Sequence, residues 1–304
     1  MIKIASVAMQ SVLDKKANLG KYLRFIDDAA KQKVNLIVFP ELSLQGLYPS
    51  MGSIDPDHSL YHHACAEPVP EGETTQLLIK KAQENDMYIC WGMIERDPER
   101  CDVLYNAAVL VGPDGFVGRH RKVHQPGTER LYFFPGNEYN VYDTRIGKVG
   151  MLVCYDKCYP ETARSLVIQG AEIILCPTAW PTIEFSEDDG QFKIYNIFSF
   201  ARAAENMVFW VEANCIGEES PPLKGAGHSR ILGPYPMDIR ATTGWTEEAM
   251  AVAEVDIQKE LVECRQLSML MANLVKDRRP DTYGKLTEVG PYSLMNGKTL
   301  WENK

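Results

Sequence analysis

Three side chains that could do chemistry together each follow an apolar, strand-like run. They are Glu41 after residues 36–40, Lys122 after 116–121 and Cys154 after 149–153. A thiol that a strand delivers into a polar turn, with a helix starting at Pro160, is placed like a nucleophile. A carboxylate, an ammonium and a thiol at the ends of separate strands are the groups that a cysteine hydrolase needs.

The chemistry of amide cleavage gives each of these groups a task. A neutral thiol attacks a carbonyl poorly, and Glu41 can take the proton from Cys154 if the two strand ends meet in one pocket. The attack builds negative charge on oxygen, which Lys122 and the backbone N–H of Tyr155 can stabilise. Glu129 lies shortly after Lys122 and could hold that lysine, or orient the leaving amine and the attacking water. The predicted catalytic set is Glu41, Lys122, Cys154 and Glu129.

Each residue of this set also has an ordinary structural interpretation. A single buried cysteine is more often part of a core than a nucleophile, and Glu41, Lys122 or Glu129 alone could be a surface charge. Cys154 and Cys158 could suggest metal ligands, but no second Cys/His pair at zinc spacing accompanies them. We therefore predict no metal and no other cofactor.

The composition favours a small molecule as the ligand. The chain has 304 residues, 45% of them hydrophobic, and a formal net charge of −9. This acidity argues against nucleic acid and anionic membrane as partners. The eight cysteines are scattered without a disulfide framework, which is typical of a reducing compartment. With no run of transmembrane length and no signal segment, we expect a soluble, cytoplasmic protein.

Strand-like runs alternate with amphipathic helical stretches. The predicted strands are residues 2–9, 36–39, 88–94, 107–111, 116–119, 149–153, 172–176, 207–213, 228–232 and 250–255. The predicted helices are residues 13–33, 74–84, 160–169 and 191–205. Two strand–helix halves with mixed sheets predict an α/β fold, an α-β-β-α sandwich with two sheets face to face and helices outside. We expect one domain over 1–304, whose tail, 277–304, docks at a subunit interface.

The sequence as a whole resembles the nitrilase superfamily of carbon–nitrogen hydrolases. The matching stretches, in chain order, are residues 39–41, 105–115, 121–124, 154–156, 160–164, 169–173, 177–180, 201–206 and 228–231. The resemblance implies the α-β-β-α sandwich, a Glu-Lys-Cys triad at Glu41, Lys122 and Cys154, and a supporting Glu129. It also implies a thioacyl-enzyme, no metal, and a homo-oligomer, dimeric or larger, assembled through a helix face near the nucleophile.

The turn after the cysteine favours the amidase or N-carbamoyl amidohydrolase branch. Nitrilases proper tend to follow the cysteine with Trp-Glu, whereas this chain has Tyr155 and Asp156. Members that act on carboxylate-bearing amides often have an arginine two residues after that Asp, where this chain has Cys158. Lys157 could substitute, although a flexible point charge grips a carboxylate less well than a guanidinium. Further substrate-binding candidates are aromatic residues that can line a small pocket, namely Tyr48, Tyr132, Phe133, Tyr155 and Trp180.

The sequence therefore predicts cysteine-dependent hydrolysis of a small linear amide or N-carbamoyl amine, with release of ammonia. The same residues could instead convert a nitrile to an acid and ammonia. A third hypothesis is a catalytically silent scaffold of the same fold. The acidic loop 184–189 could attract an amine-bearing substrate or be merely solvated. His62 and His63 are expected in a surface loop, and His228 replaces a residue that is often small in the family.

Overall fold

The computed structural model describes residues 1–46, 56–220, 223–267 and 272–289. The helices are α1 (Lys15–Lys31), α2 (Pro56–Cys65), α3 (Glu73–Asn85), α4 (Pro160–Ile168), α5 (Gly190–Asn206) and α6 (Ile257–Leu267). The strands are β1 (Ile2–Ala8), β2 (Leu36–Val38), β3 (Tyr88–Arg96), β4 (Leu104–Gly112), β5 (Gly115–Arg121), β6 (Val141–Thr144), β7 (Gly147–Met151), β8 (Ile173–Thr178), β9 (Pro181–Thr182), β10 (Phe209–Asn214), β11 (Ile216–Ser220), β12 (Leu223–Ala226), β13 (Arg230–Leu232), β14 (Ile239–Thr242) and β15 (Ala249–Val255).

Two six-stranded sheets form the centre of the molecule. The first has the strand order β15-β1-β2-β3-β4-β5, and the second has the order β14-β13-β10-β8-β7-β6. Both are mixed, because β1 pairs parallel with β2 but antiparallel with β15, and β10 pairs parallel with β8 but antiparallel with β13. A small third sheet joins β11, β12 and β9.

The central strands are apolar on both faces because each sheet is covered on both sides. Successive side chains of a strand point to opposite faces. In β2, Leu36 and Val38 join the core between the sheets, whereas Ile37 joins the core under the helices of the first sheet. In β8, Leu175 lies between the sheets and Ile174 lies under the helices of the second sheet.

The helices cover the outer faces of the two sheets. Tyr22 and Ile26 of α1, with Leu78 of α3, pack on the first sheet, and Leu166 of α4 with Ala203 of α5 packs on the second. The predicted α-β-β-α sandwich of two mixed sheets is confirmed. The sheets matter for the site because the first carries the segments of Glu41 and Lys122, and the second carries that of Cys154.

Several elements differ from the sequence prediction. The expected loop before residue 70 contains α2, which has no strong helical apolar period; in it, His62 stacks on Phe133 with ring centroids 5.2 Å apart. His62 is buried rather than part of a surface loop. The third sheet and the edge strands β6 and β14 were also not predicted, because short edge strands carry little apolar alternation. The helix α6 was not predicted either, although it has an amphipathic pattern like that of α1.

In the part of the chain that the structure describes, no helix has the length and apolar character needed to cross a membrane. The tail from 277 forms short 3-10 turns at Pro280–Thr282 and Gly284–Thr287. Its remaining residues, 290–304, lie outside the described residues, so docking of this tail on another subunit stays a prediction.

Candidate active site

Lys122 lies between two carboxylates directly after β5. Its Nζ donates to Glu41 Oε1 at 2.7 Å and to the two carboxylate oxygens of Glu129 at 2.9 and 2.7 Å. The Lys122 side chain is completely buried, and a buried ammonium is tolerated only when it is paired. With all three groups ionised, this cluster carries one more negative than positive charge.

Glu41 is held after β2 by donors from both sheets. Besides Lys122, Asn106 Nδ2 of β4 donates to Oε1 at 2.7 Å, and the backbone N–H of Ala179, just after β8, donates to Oε2 at 2.9 Å. The turn passes so close to β3 that a Cβ at Gly92 would lie 2.5 Å from the Cα of Glu41. That position therefore requires glycine.

Cys154 begins a short 3-10 helix, Cys154–Cys158, after β7. Its φ is 44°, in the left-handed region that costs a non-glycine residue on the order of 1–3 kcal/mol. Only 6% of the residue is exposed. The chain thus bends sharply at the thiol, a conformation that the surrounding contacts must maintain.

Asp156 supplies much of that support without touching the cavity. Its Oδ1 accepts from the backbone N–H and the ring Nδ1 of His124 at 2.9 and 3.0 Å, and its Oδ2 accepts from His120 Nε2 at 2.9 Å. These hydrogen bonds outweigh burial and keep the pKa of Asp156 below its ordinary value. Because His120 and His124 flank Lys122 in sequence, Asp156 ties the lysine segment to the cysteine turn.

Burial and neighbouring charges set the pKa values of the reactive groups. Burial, and then the Glu41 carboxylate, raise the pKa of Cys154 well above its ordinary value, against the opposing effect of Lys122 and Lys157. Burial lowers the pKa of Lys122, but the charges of Glu129, Glu41 and Cys154 hold it well above its ordinary value. Burial raises the pKa of Glu129 to about 7, although Lys122 opposes this. At neutral pH the site therefore has a protonated thiol and a firmly cationic lysine.

These groups converge on one cavity of about 180 Å³. Its lining residues are Glu41, Pro126, Glu129, Cys154, Tyr155, Ala179, Trp180, Pro181 and Gln191. Apart from the two carboxylates, the thiol and Gln191, the lining side chains are apolar or aromatic. A thiol beside a carboxylate, with a buried ammonium behind them, can add to a carbonyl or nitrile carbon.

The comparison with known families agrees with this geometry. A family model described as carbon-nitrogen hydrolase matches residues 3–263. This chain belongs to the carbon-nitrogen hydrolase family. The hydrolase is thus an enzyme that cleaves carbon–nitrogen bonds, and the resemblance to the nitrilase superfamily is confirmed.

Individual relatives cover nearly the whole hydrolase. A nitrilase from Pyrococcus abyssi is 35% identical over 285 residues, covering 93% of this chain and 99% of that protein. The omega-amidase NIT2 of Mus musculus is 28% identical over 291 residues, covering 92% of this chain and 96% of that protein. The crystal structure of Saccharomyces cerevisiae Nit3, a member of branch 10 of the nitrilase superfamily, has a TM-score of 0.76 at 28% identity, covering 89% of this chain and 95% of that one.

The predicted substrate-binding residues of the hydrolase fall into distinct places. Tyr155 and Trp180 line the cavity. Tyr132 is not among the lining residues; it packs with Phe133 in a separate core cluster next to α2. Tyr48 lies outside the described residues.

The prediction that Lys157 binds a substrate carboxylate is not supported by its position. Its ammonium is fully buried and forms an ion pair with Glu212 of β10. The cation also lies over the rings of Trp180 and Tyr195, so Lys157 stands behind the cavity wall. Sequence spacing did not show this, because Glu212 lies on a strand far along the chain.

Two other sequence features have structural roles. In the acidic loop, Asp188 pairs with Lys193 at 2.9 Å, and Asp189 accepts the backbone N–H groups of Gln191 and Phe192 at the start of α5. His228 packs against Phe192 and Trp245, with centroids 4.7 and 4.2 Å away. Burial, and then Arg230, lower the pKa of His228 to about 4, so it is neutral at physiological pH.

Sequence reasoning missed the residues that hold the reactive groups. Asn106 fixes Glu41, Asp156 fixes the cysteine turn, and Glu212 neutralises Lys157. Asn106 and Asp156 both lie in stretches that match the family, and a buried polar residue next to an apolar run is the one available signal. The identity of its partner was not accessible, because these pairs join distant segments.

Proposed function

We propose that this hydrolase cleaves a small linear amide or N-carbamoyl amine and releases ammonia, with Cys154 as the nucleophile. The observation that carries the proposal is the convergence of Cys154, Glu41 and Glu129 on one cavity, with Lys122 bonded to both carboxylates. Each group then has a task in acyl transfer.

In the first half of the reaction, Glu41 accepts the thiol proton of Cys154 as sulfur attacks the carbonyl carbon. This base is required because the thiol is protonated at neutral pH. The developing oxyanion is stabilised by Lys122 and the backbone N–H of Tyr155. The intermediate collapses as the C–N bond breaks, and Glu41 returns its proton to the departing nitrogen.

In the second half, water resolves the thioacyl-enzyme. Glu41 accepts a proton from water as the water oxygen attacks the thioester carbonyl. The C–S bond then breaks to release the acid, and Glu41 returns the proton to sulfur, which restores the Cys154 thiol and the carboxylate. Glu129 keeps Lys122 in place through both of its carboxylate oxygens. Its pKa of about 7 also allows it to take or return a proton near neutral pH.

The cavity limits the size of the substrate. A volume of about 180 Å³ is below the ~300–1,000 Å³ that is typical of pockets for drug-sized ligands. This room suits a short acyl chain. Trp180, Pro126 and Pro181 supply apolar contact, and the Gln191 side chain offers a polar group for orientation.

The charges around the cavity favour a substrate with a neutral tail. Among the described lining residues there is no lysine or arginine. The nearby ammonium groups are both taken, Lys122 by Glu41 and Glu129, and Lys157 by Glu212. A substrate carboxylate would therefore lose its hydration and face two acids without gaining a free cation.

A nitrile is the second candidate substrate, because the Pyrococcus abyssi relative is named a nitrilase. The same thiol can add to a nitrile carbon and give a thioimidate, which water converts to acid and ammonia. Two features favour the amide: the Tyr155–Asp156 pair after the cysteine, and a base already placed to protonate a leaving amine.

The experiment is ammonia release from butyramide, succinamate, an N-carbamoyl alkylamine and butyronitrile. Cys154→Ala is run beside Cys158→Ala, a matched control in the same turn. We expect Cys154→Ala to lose at least ~10⁴-fold in kcat/KM and Cys158→Ala to stay within a few-fold. Butyramide should exceed succinamate, its carboxylate-bearing counterpart, by ~100-fold. Preference for succinamate would contradict the neutral tail, and full activity of Cys154→Ala would contradict the mechanism.

A further inference from the structure

A second buried lysine lies three residues after the nucleophile. Lys157 belongs to the same 3-10 helix as Cys154. It forms an ion pair with Glu212, and both side chains have zero solvent exposure. The mechanism above uses neither residue. Burying such a pair is unfavourable because each ion loses its hydration. The pair nevertheless lies in the turn that carries the thiol.

Glu212 is held from several sides. Its Oε1 also accepts from Thr178 Oγ1 at 3.1 Å, and its Oε2 accepts from Ser199 Oγ and from Trp210 Nε1 at 3.2 Å. Both carboxylate oxygens are therefore used. Through these contacts the carboxylate connects β10, the end of β8 and α5 to the lysine of the cysteine turn.

The Lys157 ammonium supports the cavity wall through aromatic rings. Its Nζ lies 4.6 Å from the ring centroid of Trp180 and 4.0 Å from that of Tyr195. At these distances a cation is attracted to the ring faces by ~0.5–2 kcal/mol each. Because Trp180 lines the cavity, Lys157 joins the wall that faces substrate to the turn that carries the thiol.

The backbone of the turn is fixed by the same side of the molecule. Arg202 of α5 donates from Nε to the carbonyl oxygen of Lys157 at 2.8 Å and from Nη2 to that of Cys158 at 3.0 Å. Another cation, Arg230, lies 4.0 Å from the centroid of Tyr195. The ammonium of Lys157, the backbone of its turn and the rings of Trp180 and Tyr195 are thus joined in one network of contacts.

The pair is oriented with respect to the thiol. The charges that act on Cys154 are Glu41 from the first sheet, which raises its pKa in addition to burial, and Lys122 and Lys157, which lower it. Glu129 lines the same cavity. Cys154 and Lys157 are three residues apart in the same 3-10 helix, a spacing that places their side chains on one side of it, and Glu212 reaches this turn through its ion pair with the Lys157 ammonium. The lysine is therefore the member of the pair that acts on the thiol.

We propose that the buried Lys157–Glu212 pair positions the Cys154 turn against Trp180 and presents its positive end to the thiol, which favours the thiolate that forms during attack. Lys157 is thus a positioning residue for nucleophilic attack by Cys154, and this role rests on the proposed function. The proposal itself concerns the reactivity of the thiol, which can be measured without a substrate.

The test is the rate of Cys154 alkylation by iodoacetamide as a function of pH, followed by peptide mass spectrometry. The proteins are wild type, Lys157→Met, and Lys157→Met/Glu212→Gln, which removes both charges but keeps similar shapes. Lys148→Met, which removes an exposed lysine paired with Asp143, is the matched control. Circular dichroism and thermal unfolding follow the fold of each variant.

We expect Lys157→Met to alkylate at least ~10-fold more slowly at a given pH, with its profile displaced to higher pH. The double variant should regain thermal stability, because no lone charge stays buried, but not the wild-type alkylation profile. Lys148→Met should match wild type.

A double variant with the wild-type profile would overturn the proposal, because the pair would then serve only the fold. Failure of both variants to fold would count against it in the same way. If wild type alkylates as expected at Cys154 but hydrolyses nothing in the substrate panel, the function proposed above fails while this proposal stands.

Discussion

The two completely buried lysines beside the cavity differ in how their charges are balanced. Lys122 faces two carboxylates, Glu41 and Glu129, which both reach the cavity. Lys157 faces one carboxylate, Glu212, and two aromatic rings behind the cavity wall. The first cluster has an excess negative charge, and the second is neutral.

This difference goes with different chemical roles. Burial, together with the Glu41 carboxylate, raises the pKa of Glu129 to about 7 against the effect of Lys122, so the first cluster can take up or release a proton near neutral pH. In the second cluster one carboxylate balances one ammonium, and both Glu212 oxygens accept further hydrogen bonds. In this molecule the cluster with surplus negative charge contains the proposed base, and the cluster with balanced charges supports the cysteine turn.

Removing one acid from each cluster gives the largest contrast. Glu41→Gln should lower kcat by ~10³-fold or more, because the proton acceptor is lost. Glu212→Gln should lower kcat far less but destabilise the fold by ~3–5 kcal/mol, because it leaves a buried ammonium unpaired. Steady-state kinetics and urea unfolding of the two variants provide the measurement. Equal losses of turnover would erase the distinction between the clusters.

Removing the two ammonium groups sharpens the same contrast. Lys122→Met should lower kcat by ~10²–10³-fold, since the oxyanion loses a donor and two carboxylates are left facing each other. Lys157→Met should cost about tenfold in kcat, with KM nearly unchanged for a short amide. A larger effect at Lys157 than at Lys122 would reverse the assignment of roles.

Asp156→Asn tests the link between the lysine segment and the cysteine turn. We expect kcat to fall ~10-fold, because the turn at Cys154 loses charge-assisted hydrogen bonds. The lowered pKa of Asp156 means that its stabilisation is present above its ordinary pKa and is lost as pH falls through the folded value. The difference in melting temperature between wild type and variant should therefore be largest near neutral pH and shrink in acid. A difference that grows in acid would contradict this.

Glu129→Gln should change the pH dependence of stability. The folded pKa of Glu129 is about 7 against an ordinary value of 4.5. Its favourable contribution is therefore complete below the ordinary value and lost as pH rises through the folded one. Between about pH 5 and 8 the free energy of unfolding should fall more in wild type than in the variant, by up to ~3 kcal/mol. Urea unfolding of both proteins at a series of pH values measures this difference in the free energy of unfolding.

The sandwich was predictable from local patterns. The runs at 36–39, 149–153 and 173–176 are apolar because both faces of each strand are buried, and Pro160 and Gly170 mark the ends of a helix. The helix α2 was not predictable, since contacts such as that of His62 with Phe133 accompany a segment with little apolar period. Tertiary packing overrides local preference in such segments.

The polar residues at strand ends were predictable as candidates, but their partners were not. Cys154, Glu41, Lys122 and Glu129 do meet around one cavity. Lys157 looked equally available in the sequence, but Glu212, 55 residues away, occupies it. Whether a charge is free depends on such non-local pairings, which one sequence does not display.

The site draws on both sheets, and this has a consequence for how the enzyme acquires its activity. Glu41 and Lys122 follow strands of the first sheet, whereas Cys154 and the Ala179 N–H follow strands of the second. Neither half of the chain can assemble the reactive groups alone. During refolding, hydrolytic activity should therefore return only when the two sheets have docked against each other. Turnover thus reports the docking of the sheets, which a signal from secondary structure alone does not.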